Sequence, residues 1–272
     1  MRNPKISIVT CTKNREKFLK ICLQSVEQQT YKNIEHIFVD GHSTDGTTKL
    51  IKAYIKRNPQ LDIKLINAPP KGIANALNIG FEHTTGDIVH FLHDDDFYYD
   101  VQALERVANY FSENPKVKWI VGNCVLMFRE KVIVLPLSKI LKHVLKKAIT
   151  VWDVISHENT FATRELYAKY GPFREDNKIC VEYQIWLKAL RDTEPLVVDD
   201  NFTVYLVHKD SVTSNPFNQI IGSNIENIKI WKDVKNIPII GNYEDMYLYK
   251  KINDISNKLA EYKESFIKNV TS

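Results

Sequence analysis

The sequence predicts an α/β fold built on a mostly parallel central sheet flanked by helices, and three observations carry the prediction. Short apolar runs alternate with amphipathic helical stretches through the first hundred or so residues, the pattern of successive βαβ units. Polar turn residues close each run, and right-handed crossovers then bring every strand's carboxyl end to one edge of the sheet. The fourth run, Gly86-Asp87-Ile88-Val89-His90-Phe91-Leu92-His93, ends in three consecutive carboxylates, Asp94-Asp95-Asp96. In open α/β sheets that edge is where ligands bind.

Ile6-Ser7-Ile8-Val9-Thr10-Cys11 reads as a buried first strand, followed by the polar loop Thr12-Lys13-Asn14-Arg15. Over 16–28, Phe18, Leu19, Ile21, Cys22, Leu23 and Val26 form a helical stripe. Ile34-Glu35-His36-Ile37-Phe38-Val39-Asp40 is the second strand. It runs into Gly41-His42-Ser43-Thr44-Asp45-Gly46, rich in turn formers and helix-capping residues. A helix over 47–57 and a third strand over 63–66 follow. Pro69-Pro70-Lys71-Gly72 breaks the pattern before a helix over 73–83, and Gly86 opens the central strand. Beyond the carboxylates the periodicity predicts a helix over 101–111 and one strand over 118–128. Two further helices, over 220–234 and 243–267, make 213–272 a helical C-terminal extension to an α/β domain at 1–212. In the last of them Leu248, Ile252, Ile255, Leu259 and Tyr262 recur at three- and four-residue steps, suited to packing on the domain or to pairing in a homodimer.

At 272 residues and 44% hydrophobic content the chain can bury a large core. Its 37 basic and 33 acidic residues leave a net charge of +4, with no block of like charge and no interleaving of aromatic with basic residues. Nucleic acid is therefore not an expected partner. Cys11, Cys22, Cys124 and Cys180 show no CxxC spacing, so neither a zinc cluster nor a disulfide framework is indicated, and a reducing compartment is the simpler reading. The N-terminus passes straight into a strand-like run, so no signal peptide is expected. The longest apolar stretch, 119–128, is far too short to span a bilayer. The expectation is a cytoplasmic protein. Over 137–147 apolar residues at helical spacing are separated by Lys139, Lys142, Lys146 and Lys147. Such a helix can rest peripherally on the inner face of an anionic membrane, or be an ordinary surface helix.

No G-x-G-x-x-G follows the first strand, and neither a P-loop nor a G-x-S-x-G elbow occurs. Three adjacent carboxylates repel one another, so a hard divalent cation that shares its shell with substrate phosphates is the functional reading of Asp94-Asp95-Asp96. A solvated acidic turn capping the next helix is the structural one.

Three segments together resemble the family 2 glycosyltransferases of GT-A, Rossmann-like fold: Ser7-Ile8-Val9-Thr10-Cys11-Thr12-Lys13-Asn14-Arg15, Phe38-Val39-Asp40-Gly41-His42-Ser43-Thr44-Asp45-Gly46-Thr47 and Lys71-Gly72-Ile73-Ala74-Asn75-Ala76-Leu77-Asn78-Ile79-Gly80. They arrive in the family's order, and the likeness covers roughly residues 5–210. It implies an inverting, Mn²⁺- or Mg²⁺-dependent transfer of a hexosyl or N-acetylhexosaminyl group. The donor would be a nucleotide-diphosphate sugar, by family habit a UDP-sugar, and the acceptor a glycan or lipid-linked molecule in surface polysaccharide synthesis.

Position by position, the resemblance places Thr10, Asn14 and Arg15 against the nucleotide base. It gives Asp40 the base or ribose, although Asp40 on its own also reads as a helix cap. Lys71 and Asn75 count with the donor site, as does Asp94. Asp95 matches the acid that binds the metal, with Asp96 and His208 as further ligands; His208 falls in a loop that closes over the diphosphate. His93 stands where many members carry an Asp, a departure that leaves it as a metal ligand, a phosphate donor or a plain sheet-edge histidine. His157-Glu158-Asn159-Thr160-Phe161-Ala162-Thr163-Arg164 resembles the acceptor-side strand. Glu182 matches the catalytic base, with Glu175 and Asp176 as neighbours able to take that role. Two rivals remain. A nucleotidyltransferase would want a glycine-rich loop where Thr12 to Arg15 has none, and a non-catalytic nucleotide- or glycan-binding module is disfavoured by the presence of both Asp95 and Glu182.

Overall fold

The computed structural model describes residues 3–128, 131–136, 139, 155–178 and 180–208. The expected helices at 220–234 and 243–267, with the extension from 213 that they define, lie outside the described residues. So does the basic segment 137–147, apart from Lys139. Among the described residues no helix is long and apolar enough to cross a membrane.

The first half follows the βαβ pattern: β1 (Ile6–Thr12), α1 (Glu16–Glu27), β2 (Ile34–Asp40), α2 (Thr47–Arg57), β3 (Asp62–Asn67), α3 (Ile73–Glu82) and β4 (Ile88–Phe91). Then come β5 (Phe97–Tyr98), α4 (Ala103–Glu113), β6 (Trp119–Val121), β7 (Cys124–Phe128) and β8 (Lys131–Leu135). A 3-10 turn (His157–Asn159) leads into β9 (Thr160–Thr163), α5 (Arg164–Tyr170), α6 (Tyr183–Asp192), β10 (Leu196–Val197) and β11 (Thr203–Val207). Seven strands form the main sheet in the order β10-β6-β9-β4-β1-β2-β3. Its pairings are parallel except for β9, which runs antiparallel to both β4 and β6. A smaller sheet, β5-β11-β7-β8, lies at its carboxyl side.

Every residue of β1 and β2 is buried, as expected of central strands covered on both faces. Alternate side chains feed two apolar layers. Val9, Val39 and Leu77 pack with Trp119, Tyr167 and Trp186 in one; Ile8, Leu23 and Phe38 pack with Tyr54, Leu104 and Phe161 in the other. Trp119 and Trp186 stack with ring centroids 5.1 Å apart, which pins α6 to the sheet.

The single strand expected over 118–128 is two strands in different sheets. The break falls at Gly122-Asn123, where the Gly122 N–H donates to the Asn159 carbonyl (2.9 Å) and the Asn123 N–H to that of Asp200 (2.8 Å). Those bonds take the backbone out of the first ladder and aim it into the second. Asn159 then fastens the second sheet to the 3-10 turn. Its Oδ1 accepts from the N–H groups of Phe202 and Thr203, each at 2.9 Å, and its Nδ2 donates to the Thr203 carbonyl.

Candidate active site

A cleft of about 380 Å³ opens at the carboxyl ends of β1, β2 and β4. Cys11, Thr12 and Val39 form its sheet side, the loop through Pro69, Pro70 and Gly72 one wall, and His157, Glu158 and Glu182 the other. The topology alone concentrates polar groups here, because parallel strands expose their last residues on one edge.

The exit of β4 carries His93, Asp94 and Asp95 into the cleft. Asp94 is buried, and burial together with the charge of Asp95 pushes its carboxyl up to about 7, against the opposing pull of Thr12 and Arg15. Arg15 Nε lies 3.6 Å from Asp94 Oδ1. Asp95 Oδ2 meets His208 Nε2 at 2.9 Å. Asp96, expected beside them, is turned away. The chain reverses here, with the Asp96 N–H donating to the His93 carbonyl at 3.2 Å. Its fully buried carboxylate accepts from the Leu206 N–H at 3.0 Å, tying the β4 exit to β11.

The loops after β1 and β2 are laced together. Asn14 takes a left-handed backbone (φ 55), its N–H donates to Ser43 Oγ (2.9 Å), and its Oδ1 accepts from the Thr44 N–H (2.8 Å). Arg15 lines the cleft; Asn14 supports the loop that presents it. Asp40 is buried and accepts from Ser43 N–H, Ser43 Oγ and Thr48 Oγ1, so it organises the 41–48 loop from beneath. Thr10 is not brought to the cleft. It is fully buried one step inside the strand end, with its hydroxyl 3.0 Å from His36 Nε2, whereas Cys11 and Thr12, nearer the end of β1, line the opening. Across the cleft, Asn75 on α3 lines the wall and donates to Glu175 Oε1 at 2.9 Å; Lys71 is exposed beyond the lining.

Glu182 immediately precedes α6. An acid there suits the helix dipole, but its carboxylate caps no backbone N–H and faces the cleft instead. It is 3% exposed, and burial pushes its pKa up to about 7. Of the other two acids considered for its role, Glu175 is exposed against Asn75 and Asp176 pairs with Arg174 at 2.7 Å; neither lines the cleft.

His157 and Glu158, read from the sequence as the start of the acceptor-side strand, form a 3-10 turn ahead of β9 and line the cleft. The signal for them is the antiparallel insertion of β9. Because β9 runs against β4, the residues just before it lie beside those just after β4. His90 holds the turn from below, its Nε2 2.9 Å from the Glu158 carbonyl and its ring stacked on Phe161.

Asp95 Oδ2 and His208 Nε2 face each other at 2.9 Å, with the buried carboxyl of Asp94 next to Asp95 in the chain. Oxygen-rich donors of this kind fit Mn²⁺ or Mg²⁺.

The model of the family described as "Glycosyl transferase family 2" matches residues 7–167. The PGL/p-HBAD biosynthesis glycosyltransferase of Mycobacterium tuberculosis is 32% identical over 128 residues, which cover 46% of this chain and 49% of that protein. The putative glycosyltransferase EpsE of Bacillus subtilis is 35% identical over 128 residues, covering 47% and 45%. The chain thus spans about half the length of these curated relatives. Among solved structures, S. aureus TarS in complex with UDP-GlcNAc superposes with a TM-score of 0.64 at 19% identity, over 76% of this chain and 60% of that one. The mannosyltransferase PcManGT from Pyrobaculum calidifontis, in complex with GDP-Man and Mn²⁺, gives 0.61 at 23% identity, over 76% and 58%. These likenesses show the fold, a GT-A arrangement of a large central sheet flanked by helices. With more than half of its length matched by the family model, the chain belongs to glycosyl transferase family 2.

Proposed function

We propose that the protein is a metal-dependent, inverting glycosyltransferase. It moves a hexosyl or N-acetylhexosaminyl group from a UDP-sugar to a hydroxyl of a glycan or lipid-linked acceptor, in surface polysaccharide synthesis. One observation carries the reading: Asp94 and Asp95 at the exit of β4 share a cleft with the buried carboxyl of Glu182.

The chemistry follows from that placement. The acceptor hydroxyl attacks the anomeric carbon and its proton passes to the Glu182 carboxylate. The bond from that carbon to the diphosphate oxygen breaks, and its electron pair leaves with the diphosphate. A base whose pKa is about 7 is suited to taking a proton near neutral pH. Lys13, Arg15 and Lys178 line the same cleft and supply positive charge for a diphosphate. The Asn14 and Asp40 loops shape the nucleotide side and Asn75 the opposite wall, with Lys71 exposed beyond it, able to reach a donor from outside the lining. Asp95 and His208, beside Asp94, are the residues that would hold Mn²⁺ or Mg²⁺. When bound, such an ion offsets the charge that grows on a departing diphosphate. The two structural neighbours support this reading through what they hold, UDP-GlcNAc in TarS and GDP-Man with Mn²⁺ in PcManGT. The same reading puts the protein in the cytoplasm, with 137–147 as the segment at which a peripheral contact with the inner face of the membrane is to be tested.

The test is thermal unfolding against UDP, GDP, CDP and dTDP, each with and without Mn²⁺. A ligand at about 100 times its dissociation constant adds about 2.7 kcal/mol to the native state. A Mn²⁺-dependent shift largest with UDP is expected, and Glu182→Gln should keep that shift while losing sugar transfer. No metal-dependent shift with any diphosphate, or full transfer by Glu182→Gln, would overturn the reading.

A further inference from the structure

We propose that His93, His157 and Glu182 form a second cation site in the cleft, one that takes a borderline transition ion of the Zn²⁺ class, and that an ion there silences the transferase by ligating its base. The inhibitory consequence rests on the function proposed above; the binding of the ion does not.

The site is built by topology. β9 pairs antiparallel with β4, Ile88 opposite Thr163 and Val89 opposite Ala162. Continued past both strand ends, that register sets the residues after β4 beside the 3-10 turn before β9. His93 Nε2 accordingly lies 2.6 Å from His157 Nε2. From the other side, Glu182 Oε2 lies 3.9 Å from His157 Nδ1. One donor atom from each of the three residues can be chosen so that all lie within 4.8 Å of one another. All three residues line the cleft, so an ion reaches them from solvent.

A second observation points the same way. Glu182 is 97% buried by its residual exposure of 3%, and its Oε1 has no hydrogen-bond partner. Buried carboxylate oxygens are ordinarily satisfied. The two facing imidazole nitrogens can share at most one proton between them, whereas a cation accepts both lone pairs. Glu158 Oε1, 3.3 Å from His157 Nε2, is at hand as a fourth ligand or as an outer partner that orients the ring.

The donor chemistry separates this site from the one at Asp95. Two imidazoles and one carboxylate suit Zn²⁺, which binds such sets more tightly than Mn²⁺ does. Carboxylate-rich sets suit Mn²⁺ and Mg²⁺. Zn²⁺ at the first site would occupy the carboxylate lone pair that receives the acceptor's proton.

The experiment uses the full chain, stripped by chelator, in the Asp95→Asn background so that the β4-exit site is disabled. Co²⁺ is titrated while its visible d–d absorption is read, and Zn²⁺ is then added to displace it. Asp95→Asn is expected to bind one ion, with Zn²⁺ displacing Co²⁺. Adding His157→Ala should weaken Zn²⁺ by at least about 100-fold, since even outer-shell partners cost 10- to 100-fold. Adding His93→Ala instead serves as the independent second variant should the first not fold. Unchanged Zn²⁺ affinity in either folded double variant, or no Co²⁺ band in Asp95→Asn, would overturn the site. If Zn²⁺ binds as expected and the wild-type chain transfers no sugar under any condition, the site stands and the proposed function fails. If Zn²⁺ binds and leaves a measurable transfer rate unaffected, the inhibitory role is overturned.

Discussion

Nε2 of His208 lies 2.9 Å from Oδ2 of Asp95, a contact that joins the end of β11 to the exit of β4. The His208 ring is also stacked on Phe18 of α1, with centroids 4.1 Å apart and planes 17° from parallel. Three elements remote in sequence thus hold an imidazole against a carboxylate, the arrangement needed to pre-orient two ligands for one ion.

Asp95→Asn should therefore abolish the extra stabilisation that Mn²⁺ gives in the presence of UDP. His208→Ala should reduce it without abolishing it, because the carboxylates remain. Thermal unfolding at saturating nucleotide measures both: a wild-type increment of about 2.7 kcal/mol at 100-fold saturation should vanish in the first variant. An undiminished Mn²⁺ increment in Asp95→Asn would place the ion elsewhere.

The raised pKa of Glu182, about 7 from an ordinary 4.5, has two consequences of opposite sign. With Glu182 as the proposed base, transfer needs the ionised carboxylate, so its rate should climb from about pH 6 to about pH 8. Stability runs the other way. The folded chain keeps the Glu182 proton up to about 7 while the unfolded chain releases it near 4.5, so the fold loses stability as pH rises across that window. Glu182→Gln removes this penalty. It should be more stable than wild type at about pH 8, by at most about 3 kcal/mol, and nearly equal to it at pH 4.5. Urea unfolding at the two pH values decides the matter; equal differences at both would remove the buried-acid account.

Much of this was legible in the sequence, and the exceptions share a cause. The succession of elements from β1 to β4 and the convergence of Asp94 and Asp95 on one edge follow from local periodicity and turn chemistry, and the position of Glu182 before a helix from the family resemblance. Thr10 lies short of the cleft because the residues that line it begin one position later, at Cys11, and local periodicity does not say where along β1 the cleft begins. Asp96 misled because a turn redirects each successive side chain. The resemblance put His157 and Glu158 on the acceptor side, but their place beside His93 was not legible, because it comes from an antiparallel strand contributed by the second half of the chain. Non-local pairing of that sort leaves no local periodic signature.

Glu35 offers a stability test at the opposite end of the sheet. It is fully buried and accepts from Ser7 Oγ, from the Thr85 and Gly86 N–H groups, and from Lys5 and Lys64 at 3.2 and 3.1 Å. Burial alone would raise its pKa; these donors outweigh burial and hold it at about 2. A carboxyl lowered on folding contributes stability that is fully present above about 4.5 and is lost as pH falls toward 2. Glu35→Gln should cost about 2–4 kcal/mol at pH 7 and markedly less near pH 3. A cost independent of pH would show that packing, not charge, sets the contribution.

Two glycines separate stability from binding. At Gly86, before β4, an added Cβ would lie 2.6 Å from Ser7 Oγ and 2.7 Å from the Lys5 carbonyl oxygen. One of those neighbours is backbone, so Gly86→Ala must displace the start of β1, at a cost of about 1–3 kcal/mol. That end of the strand is remote from the Asp94–Asp95 exit, so nucleotide affinity of the folded fraction should hold. Gly72 faces open space, with nothing within 4 Å, but its φ of +111° and ψ of 166° fall where glycine alone is comfortable. Gly72→Ala can relieve that strain by moving the 68–72 loop, which forms one wall of the cleft. Its expected signature is a loss of UDP affinity out of proportion to its loss of stability. Denaturation and UDP titration on both variants give the comparison. Were Gly86→Ala the one to lose nucleotide affinity while Gly72→Ala kept it, the wall formed by the 68–72 loop would not be part of the donor site.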